Sequence, residues 1–238
     1  MSTQIQLTHA TGPAALKKAV DNDHIIILVD VLRASSTIIT ALANGASSII
    51  PVPTVEEARR LATEHPNAIL AGERAAHPPP GFHYGNSPRS FLSNKIRNRP
   101  IILTTSNFTR TLGHPSPTAT ILVGAFLNIE HVAQTARSLH KSQSRPITII
   151  SAGGMSGPSI EDDLASDHIA IRIKNPDDPP SYASSDDIAR ELLITRHGII
   201  LVRAGYEEDI YFSSQPNRYN LTPILINKAF YPFGKKQP

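Results

Sequence analysis

Cysteine is absent from the 238 residues, which excludes disulfides, thiolate metal sites and a cysteine nucleophile. Tryptophan is absent as well, and aromatic residues reach only 5%. The stacking platforms that single-stranded RNA requires are therefore scarce. Charged residues make up 18% and the formal net charge is +3, with no run of lysine and arginine. That balance argues against a nucleic-acid binder, which would gather its basic residues on one face or segment. Long apolar stretches are also missing. The most apolar segment near the N-terminus, Ile25-Ile-Ile-Leu-Val29, is far shorter than the roughly 20 residues that cross a bilayer. Met1-Ser-Thr-Gln-Ile5 shows no basic segment followed by an apolar one, so no signal peptide is expected, and a cytoplasmic location is.

What is present is a chain large enough for a substantial core, with 40% hydrophobic residues gathered in compact runs. Disorder would need lower hydrophobicity and a larger net charge. His24 to Val31 reads as a buried strand. Ser35-Ser-Thr37 can cap a helix that runs through Ala43 and stops at Asn44-Gly45. Strands are expected at Ser48–Val52, Ala68–Ala71, Pro100–Thr104, Thr120–Gly124, Ile147–Ser151 and Thr222–Ile226. Helices are expected from Thr54 to Glu64, with Glu57 completing a capping box, and from Ile129 to Leu139. Others are expected over Ser159–Ile173, Ser185–Leu193 and Gly205–Ser213. Gly72 to Pro88 is a Pro-, Gly- and His-rich loop, and Asn175 to Ser184 a polar linker. Repeated strand–helix units predict an α/β protein of three layers, α/β/α, with a mostly parallel or mixed sheet. One domain over 1–238 accounts for the length, with room for two similar sub-domains divided near 114–118 or 175–184.

In such a sheet, ligands bind beyond the carboxyl ends of the strands. Asp30 and Arg33 follow the first strand, Glu73 and Arg74 the third, and Thr104-Thr-Ser-Asn-Phe-Thr-Arg110 the fourth. The turn Ser151-Ala-Gly-Gly-Met-Ser-Gly157 leads to Glu161, Asp162 and Asp163. Each group has a plainer reading beside the functional one. Asp30 can be an internal partner of Arg33 or a helix cap, and Glu73–Arg74 a surface pair worth little. The threonine-rich turn can be an ordinary cap, although Arg110 at its end favours an anion site. The three acids near 161 suit a helix dipole as well as a metal. The glycine turn lacks the Lys-Ser/Thr ending of a phosphate loop, and the ten histidines form no HExxH. His77 and His83 are expected as solvent-exposed loop residues.

Several blocks, in order, resemble the 2-phosphosulfolactate phosphatases. They are Asp30-Val-Leu-Arg-Ala-Ser-Ser-Thr-Ile38, Ala41-Leu-Ala-Asn-Gly-Ala46, Leu70-Ala-Gly-Glu-Arg74, Gly81-Phe82 and Gly85-Asn-Ser-Pro88. Leu103 to Arg110, Val123 to Asn128, Ser159 to Asp162, Ala204 to Ile210, Arg218-Tyr219 and Pro223-Ile-Leu225 continue the series, so the likeness covers nearly the whole chain. The resemblance implies a Mg2+-dependent phosphatase that converts 2-phospho-3-sulfolactate to 3-sulfolactate and phosphate, a step of coenzyme M biosynthesis. It implies a catalytic set of Asp30, Glu73, Thr105 and Asn107. It implies substrate contacts from Arg33, Arg74, Asn86, Ser87, Thr109 and Arg110, and metal ligation by Asp30, Glu161 and Asp162. Whether Asp30 attacks, acts as a base or only binds metal stays open. The partner expected is a small anionic substrate, not nucleic acid or a membrane, and a homodimer is compatible with this reading.

The chain departs from the family pattern at four places. Phe108 stands where a glycine is expected, Ala75-Ala76 replaces Gly-Gly, His83 replaces an acid, and Ala165-Ser-Asp167 replaces a Cys-Ala-Gly-like segment. Phe108 and His83 bear on substrate identity. They motivate two rivals: a phosphatase for another phospho-acid, and a non-catalytic anion-binding protein.

Overall fold

The computed structural model describes residues 5–154, 157–179 and 184–235. Met155 and Ser156 of the glycine turn, and 180–183 of the polar linker, lie outside the described residues. In chain order the strands are β1 (Leu7–Thr11), β2 (Ile25–Val29), β3 (Ser48–Pro51), β4 (Ile69–Gly72), β5 (Pro100–Thr104), β6 (Thr120–Gly124), β7 (Ile147–Ser151), β8 (Pro223–Ile226) and β9 (Ala229–Pro232). The helices are α1 (Gly12–Asp21), α2 (Ala34–Ala43), α3 (Val55–Glu64), α4 (Phe108–Leu112) and α5 (Ile129–Gln143). They continue with α6 (Ile160–Lys174), α7 (Ser185–Leu193), α8 (Arg196–Arg203) and α9 (Glu207–Ser213).

One mixed sheet orders these strands β1-β7-β2-β6-β8-β9-β3-β5-β4. β1, β7, β2 and β6 form one parallel group, and β3, β5 and β4 a second. The antiparallel hairpin β8–β9 joins them through a single paired position on each side, Leu122 with Ile224 and Ile49 with Phe230. Strand twist of about 20–25° per step accumulates across this seam. The stretch 114–118 carries the chain from α4 back to β6, from the second group to the first.

Side-chain alternation divides the buried residues between two faces. Ile26 and Leu28 of β2 join Ile121 and Val123 of β6 under α1 and α2. Ile25, Ile27 and Val29 join Leu122, Ile147 and Ile149 under α5 and α6. Helix α2 is buried from Ala34 to Leu42, as its nearly continuous run of small and apolar residues requires. A smaller cluster of Val52, Ala58, Ala68 and Ile102 seats α3. These layers are the three-layer α/β/α arrangement read from the sequence. Thr54 and Ser159 cap α3 and α6 as expected, accepting from Glu57 N at 3.1 Å and Asp162 N at 3.4 Å.

Four elements escaped the hydrophobic pattern: β1, α1, α8 and β9. β1 is a polar edge strand whose ladder with β7 supplies what its side chains do not. α8 follows α7 through Thr195, whose hydroxyl caps Gly198 N. β9 returns the chain after an Asn227-Lys228 turn in which both residues have positive φ.

Gly72 ends β4 at φ +149°, and a Cβ placed there would lie 2.0 Å from Thr104 O. That carbonyl accepts from Glu73 N at 3.0 Å, so glycine is what lets β4 and β5 close just before the carboxylate of Glu73. Gly72→Ala is expected to lower stability by about 3 kcal/mol, from overpacking added to backbone strain. A urea titration reads this as a lower midpoint at constant slope. An unchanged midpoint would show that the strand ends have room to separate.

Candidate active site

β2 ends at Val29, two residues earlier than its apolar run, so Asp30 lies beyond the strand rather than inside it. Asp30 N donates to Ser35 Oγ at 2.9 Å, and Asp30 Oδ1 accepts from Ala34 N at 3.3 Å. The carboxylate thus takes the capping role that Ser35 and Thr37 were expected to fill. Ser35 is turned back to the backbone of Asp30, and Thr37 Oγ1 donates to Asn86 O at 2.9 Å. Asp30 is 5% exposed. Burial pushes its carboxyl up to about 6, against the pull of the His197 charge, and the charges of Glu73 and Glu161 push the same way.

The first turn of α6 brings two more acids to this point. Asp162 Oδ1 accepts from Val31 N at 2.8 Å and Asp162 Oδ2 from Gly153 N at 3.3 Å. That carboxylate therefore ties the ends of β2 and β7 to α6. Its pKa is raised well above the usual range, by burial first and then by Asp30 and Glu161. Glu161 behaves oppositely. Burial raises its pKa, but hydrogen bonds from His197, its own backbone and Ser159 outweigh burial and lower it. His197 Nδ1 lies 3.3 Å from Glu161 Oε1. That hydrogen bond, opposed by burial and helped by Asp30, Glu161 and Glu73, raises the imidazole pKa.

The second strand group supplies the facing wall. Glu73 Oε1 accepts from Ser106 N at 2.7 Å and Oε2 from Ala76 N at 3.2 Å. Ala75 and Ala76, where the sequence reading expected Gly-Gly, both hold positive φ, +49° and +69°. Alanine is strained by about 1–2 kcal/mol in that region, and the turn is held by the bonds that it makes possible. Thr105 and Thr109 are bonded to each other: Thr105 N donates to Thr109 Oγ1 at 3.0 Å, and Thr109 N to Thr105 Oγ1 at 3.2 Å. Thr109 is thereby a brace for the turn. The loop after β4 is ordered, with Gly72 N bonded to Tyr84 O and both His83 N and Tyr84 N to Leu70 O. It delivers Asn86, which is 3% exposed and whose Oδ1 has no hydrogen-bond partner.

Arg33 is buried in a network that the sequence did not signal. Its Nη1 donates to Asp209 Oδ2 at 2.7 Å and its Nη2 to Ala76 O at 2.9 Å. Its guanidinium carbon lies 4.2 Å from the centre of the Tyr206 ring. Asp209 Oδ1 in turn accepts from Ser87 Oγ at 2.6 Å. Asp209, on α9, fixes both the arginine and the loop. The acidic Tyr-Glu-Glu-Asp segment was visible, but nothing in its spacing separated Asp209 from its exposed neighbours.

A small cavity of about 20 Å3 gathers Asp30, Arg33, Glu73, Asn86, Thr105, Asn107 and His197, with Leu32, Ala76 and Leu201. It abuts a larger chamber of about 500 Å3 that shares Glu73, Ala76, Asn107 and His197 and adds Ser106, Ser159, Glu161 and Arg196. Of the residues expected at the site, Arg74, Ser87, Thr109, Arg110 and Asp162 line neither. Arg74 turns back to Thr104 Oγ1 at 2.9 Å and to the carbonyls of Glu73 and Pro53, and Arg110 is an exposed residue of α4. Phe108 is fully buried, 5.9 Å from Phe230 between ring centres, and His83 Nδ1 accepts from Leu70 N at 3.0 Å. Neither lines the cavities.

The arrangement sets four carboxylates against few fixed cations, since Arg33 is already neutralised by Asp209. Hard oxygen donors around an orphaned Asn86 oxygen suit Mg2+, which takes only one or two protein carboxylates beside substrate oxygens and water. Among the described residues no group of three or more His, Asp or Glu side chains that could hold a metal ion is gathered, the expected trio of Asp30, Glu161 and Asp162 included.

A family model described as 2-phosphosulpholactate phosphatase matches residues 11–228. A probable 2-phosphosulfolactate phosphatase of Thermotoga maritima is 35% identical over 212 residues, covering 86% of this chain and 90% of its own length. Proteins of the same name from Symbiobacterium thermophilum and Pseudothermotoga lettingae are 32% and 31% identical, over 215 and 223 residues. They cover 84% and 90% of this chain, and 91% and 95% of their own lengths.

The buried position of Asp30 has a consequence for stability. Its folded pKa of about 6 exceeds the ordinary 3.8, so the folded protein holds this proton longer than the unfolded chain does. Stability therefore falls as pH rises between about 4 and 6, and the full penalty persists above 6. In chelator, Asp30→Asn is expected to exceed the unaltered protein by up to about 3 kcal/mol at pH 8, with the gap closing toward pH 4.5. Thermal midpoints across that range decide it. A gap that widens on acidification would contradict the assignment.

Proposed function

We propose that this chain, which belongs to the 2-phosphosulfolactate phosphatase family and is a phosphoric monoester hydrolase, converts 2-phospho-3-sulfolactate to 3-sulfolactate and phosphate with Mg2+ as cofactor. The observation that carries the reading is the charge balance at Asp30. The substrate would bring a phosphate, a carboxylate and a sulfonate to adjoining cavities lined by Asp30, Glu73 and Glu161, with Asp162 buried beside Asp30 and Glu161. A divalent cation removes that conflict, with Asp30 and Glu161 as its freer carboxylates, Asp162 behind them and Asn86 Oδ1 as a neutral oxygen. Bound there, it would polarise the phosphoryl group and ease the approach of water.

The chain's own groups do the positioning. Asp209 holds the Arg33 fork at the wall of the small cavity, where a planar donor pair suits phosphoryl oxygens. Glu73 fixes the Ser106 backbone and keeps Thr105 and Asn107 facing the same space. His197, drawn to Glu161, carries a proton at the junction of the two chambers, close to where a leaving alkoxide must be neutralised. Thr109 and Ser87 act through Thr105 and Asp209 rather than on the substrate. Phe108 and His83, the two departures that favoured another substrate, lie away from the cavities and lend that alternative no support. In this reading the step belongs to coenzyme M biosynthesis, in the cytoplasm, where a multiply charged acid is retained.

Phosphate release from 2-phospho-3-sulfolactate is expected with Mg2+ and is lost on chelation. Asp30→Asn, with its fold retained, is expected to lose at least about 100-fold in kcat. Turnover of 2-phospholactate alone would reject the substrate, unchanged release in chelator would reject the metal, and full activity in the variant would remove Asp30 from the site.

A further inference from the structure

A buried guanidinium needs its plane fixed as well as its charge paired. Arg33 is such a group, with a side chain 2% exposed at the wall of the small cavity. Its terminal nitrogens are each tied once, Nη1 to Asp209 Oδ2 at 2.7 Å and Nη2 to Ala76 O at 2.9 Å. Two bonds at the ends of the fork leave the plane free to rock about the line that joins them. Each terminal nitrogen also keeps a second N–H. The tilt of the plane decides where those N–H groups aim. Asp30 and Glu73 share the cavity but are bonded to the backbone N–H groups of Ala34, Ser106 and Ala76, so they do not set that tilt.

Tyr206 supplies the missing restraint. The Arg33 guanidinium carbon sits over the Tyr206 ring, 4.2 Å from its centre. A ring against the face of the fork acts outside the line of the two bonds and favours the cation. The Tyr206 ring also meets His77, with 5.9 Å between ring centres. His77 belongs to the turn that carries Ala76, closed by Arg74 N to His77 O at 2.9 Å and His77 N to Arg74 O at 3.1 Å. The tyrosine therefore touches both the guanidinium and the loop whose carbonyl the guanidinium bonds.

The backbone places this ring through the way α8 ends. Gly205 N bonds Val202 O at 3.0 Å and Tyr206 N bonds Leu201 O at 2.8 Å, with Gly205 at φ +81°. That pair of bonds is the Schellman arrangement, and glycine adopts its left-handed residue without steric cost. The turn brings Tyr206 back against the core cluster that contains Leu201, itself a residue of the small cavity. Tyr206 is also the residue before α9, and its carbonyl accepts from Asp209 N at 3.0 Å. One turn of chain thus presents a ring to the face of the guanidinium and a carboxylate to its edge.

We infer that Tyr206 is a positioning residue of this site, setting the plane of Arg33 so that the second N–H of each terminal nitrogen faces the phosphoryl group. The inference rests on the reading above in which Arg33 meets phosphoryl oxygens. Tyr206→Leu is expected to lower kcat for 2-phospho-3-sulfolactate about 10-fold with KM changed less than about twofold, because a misaligned fork fails most in the transition state. Tyr206→Phe keeps the ring and should restore kcat to within about twofold of the unaltered protein. In the Arg33→Lys background there is no plane to align, and Tyr206→Leu should cost less than about twofold. An equal loss in both backgrounds, or Tyr206→Phe as impaired as Tyr206→Leu, would overturn the assignment. A readout without turnover separates this claim from the substrate reading. In protein carrying isotope-labelled arginine, the Arg33 N–H resonances, identified by their loss in Arg33→Lys, should lie upfield through the ring current of Tyr206. They should move when inorganic phosphate is added with Mg2+, and that result supports the inference even where 2-phospho-3-sulfolactate is not hydrolysed. Resonances at the ordinary arginine position, or unmoved by phosphate, overturn it whether or not the Tyr206 variants fold. Hydrolysis that is indifferent to Tyr206→Leu supports the substrate and discards the residue.

Discussion

Asp162 holds the site together. Its two oxygens accept the backbone N–H groups of Val31 and Gly153, which come from the ends of two adjacent strands. With those bonds in place, the first turn of α6 cannot drift from the carboxyl edge of the sheet, and Asp30 and Glu161 are held near each other despite like charge. Burial first, and then this repulsion, raises the affinities of Asp30 and Asp162 for protons. A buried acid with no cation among its hydrogen-bond donors, which are Val31 N, Gly153 N and Ser159, is a costly way to join a helix to a sheet. An apolar contact would do that structural work at lower cost, which is why the proposal above gives the retained charge a part in holding a cation.

The same constraint explains why the molecule needs two strand groups. β2, β7 and α6 supply Asp30, Asp162 and Glu161, while β4 and β5 supply Glu73, Thr105 and Asn107. The hairpin β8–β9 holds these groups in one sheet through a narrow seam. Buried bridges then fix the distance across the cavity: Arg33 from the β2 side reaches Ala76 O in the loop after β4, and Asp209 clasps Arg33 and Ser87 together. Each bridge links segments far apart in the chain, so the walls of the cavity form only when the whole sheet has assembled.

What could be read from the sequence follows from this architecture. The strands and most helices were legible because their periodicity reports burial on two faces of one sheet. Polar residues just past strand ends were legible as site candidates, and Asp30, Arg33, Glu73, Asn86, Thr105 and Asn107 do meet in one cavity. Side-chain direction was not legible. Arg74 follows β4 as closely as Glu73 does, yet adjacent residues leave a strand end on opposite sides, and Arg74 bonds Thr104 behind the wall. Arg110 closes a hydroxyl-rich turn, but α4 turns it to solvent. His197 and Arg196 were missed because α8 carries only a common signal, a threonine cap, and Asp209 because the acidic block that contains it does not mark which acid turns inward. The glycine replaced by Phe108 seemed a change at the ligand. In three dimensions that side chain enters the core against Phe230, where its size is used for packing.

The distribution of cations completes the argument. A highly anionic substrate would suggest a pocket crowded with arginines, and the sequence offered three near the strand ends. The structure instead commits Arg33 to Asp209, keeps Arg74 as a brace and leaves Arg110 outside. Carboxylates line both spaces, Asp30 and Glu73 beside Arg33 in the inner cavity and Glu73 and Glu161 beside Arg196 in the outer chamber, so neither is a uniformly basic pocket. A general basic pocket would hold any phosphorylated acid, and its attraction would act equally on substrate and product. In the proposed reading, phosphate binding depends instead on a divalent cation held by these carboxylates, and release of phosphate can be coupled to loss of that attraction.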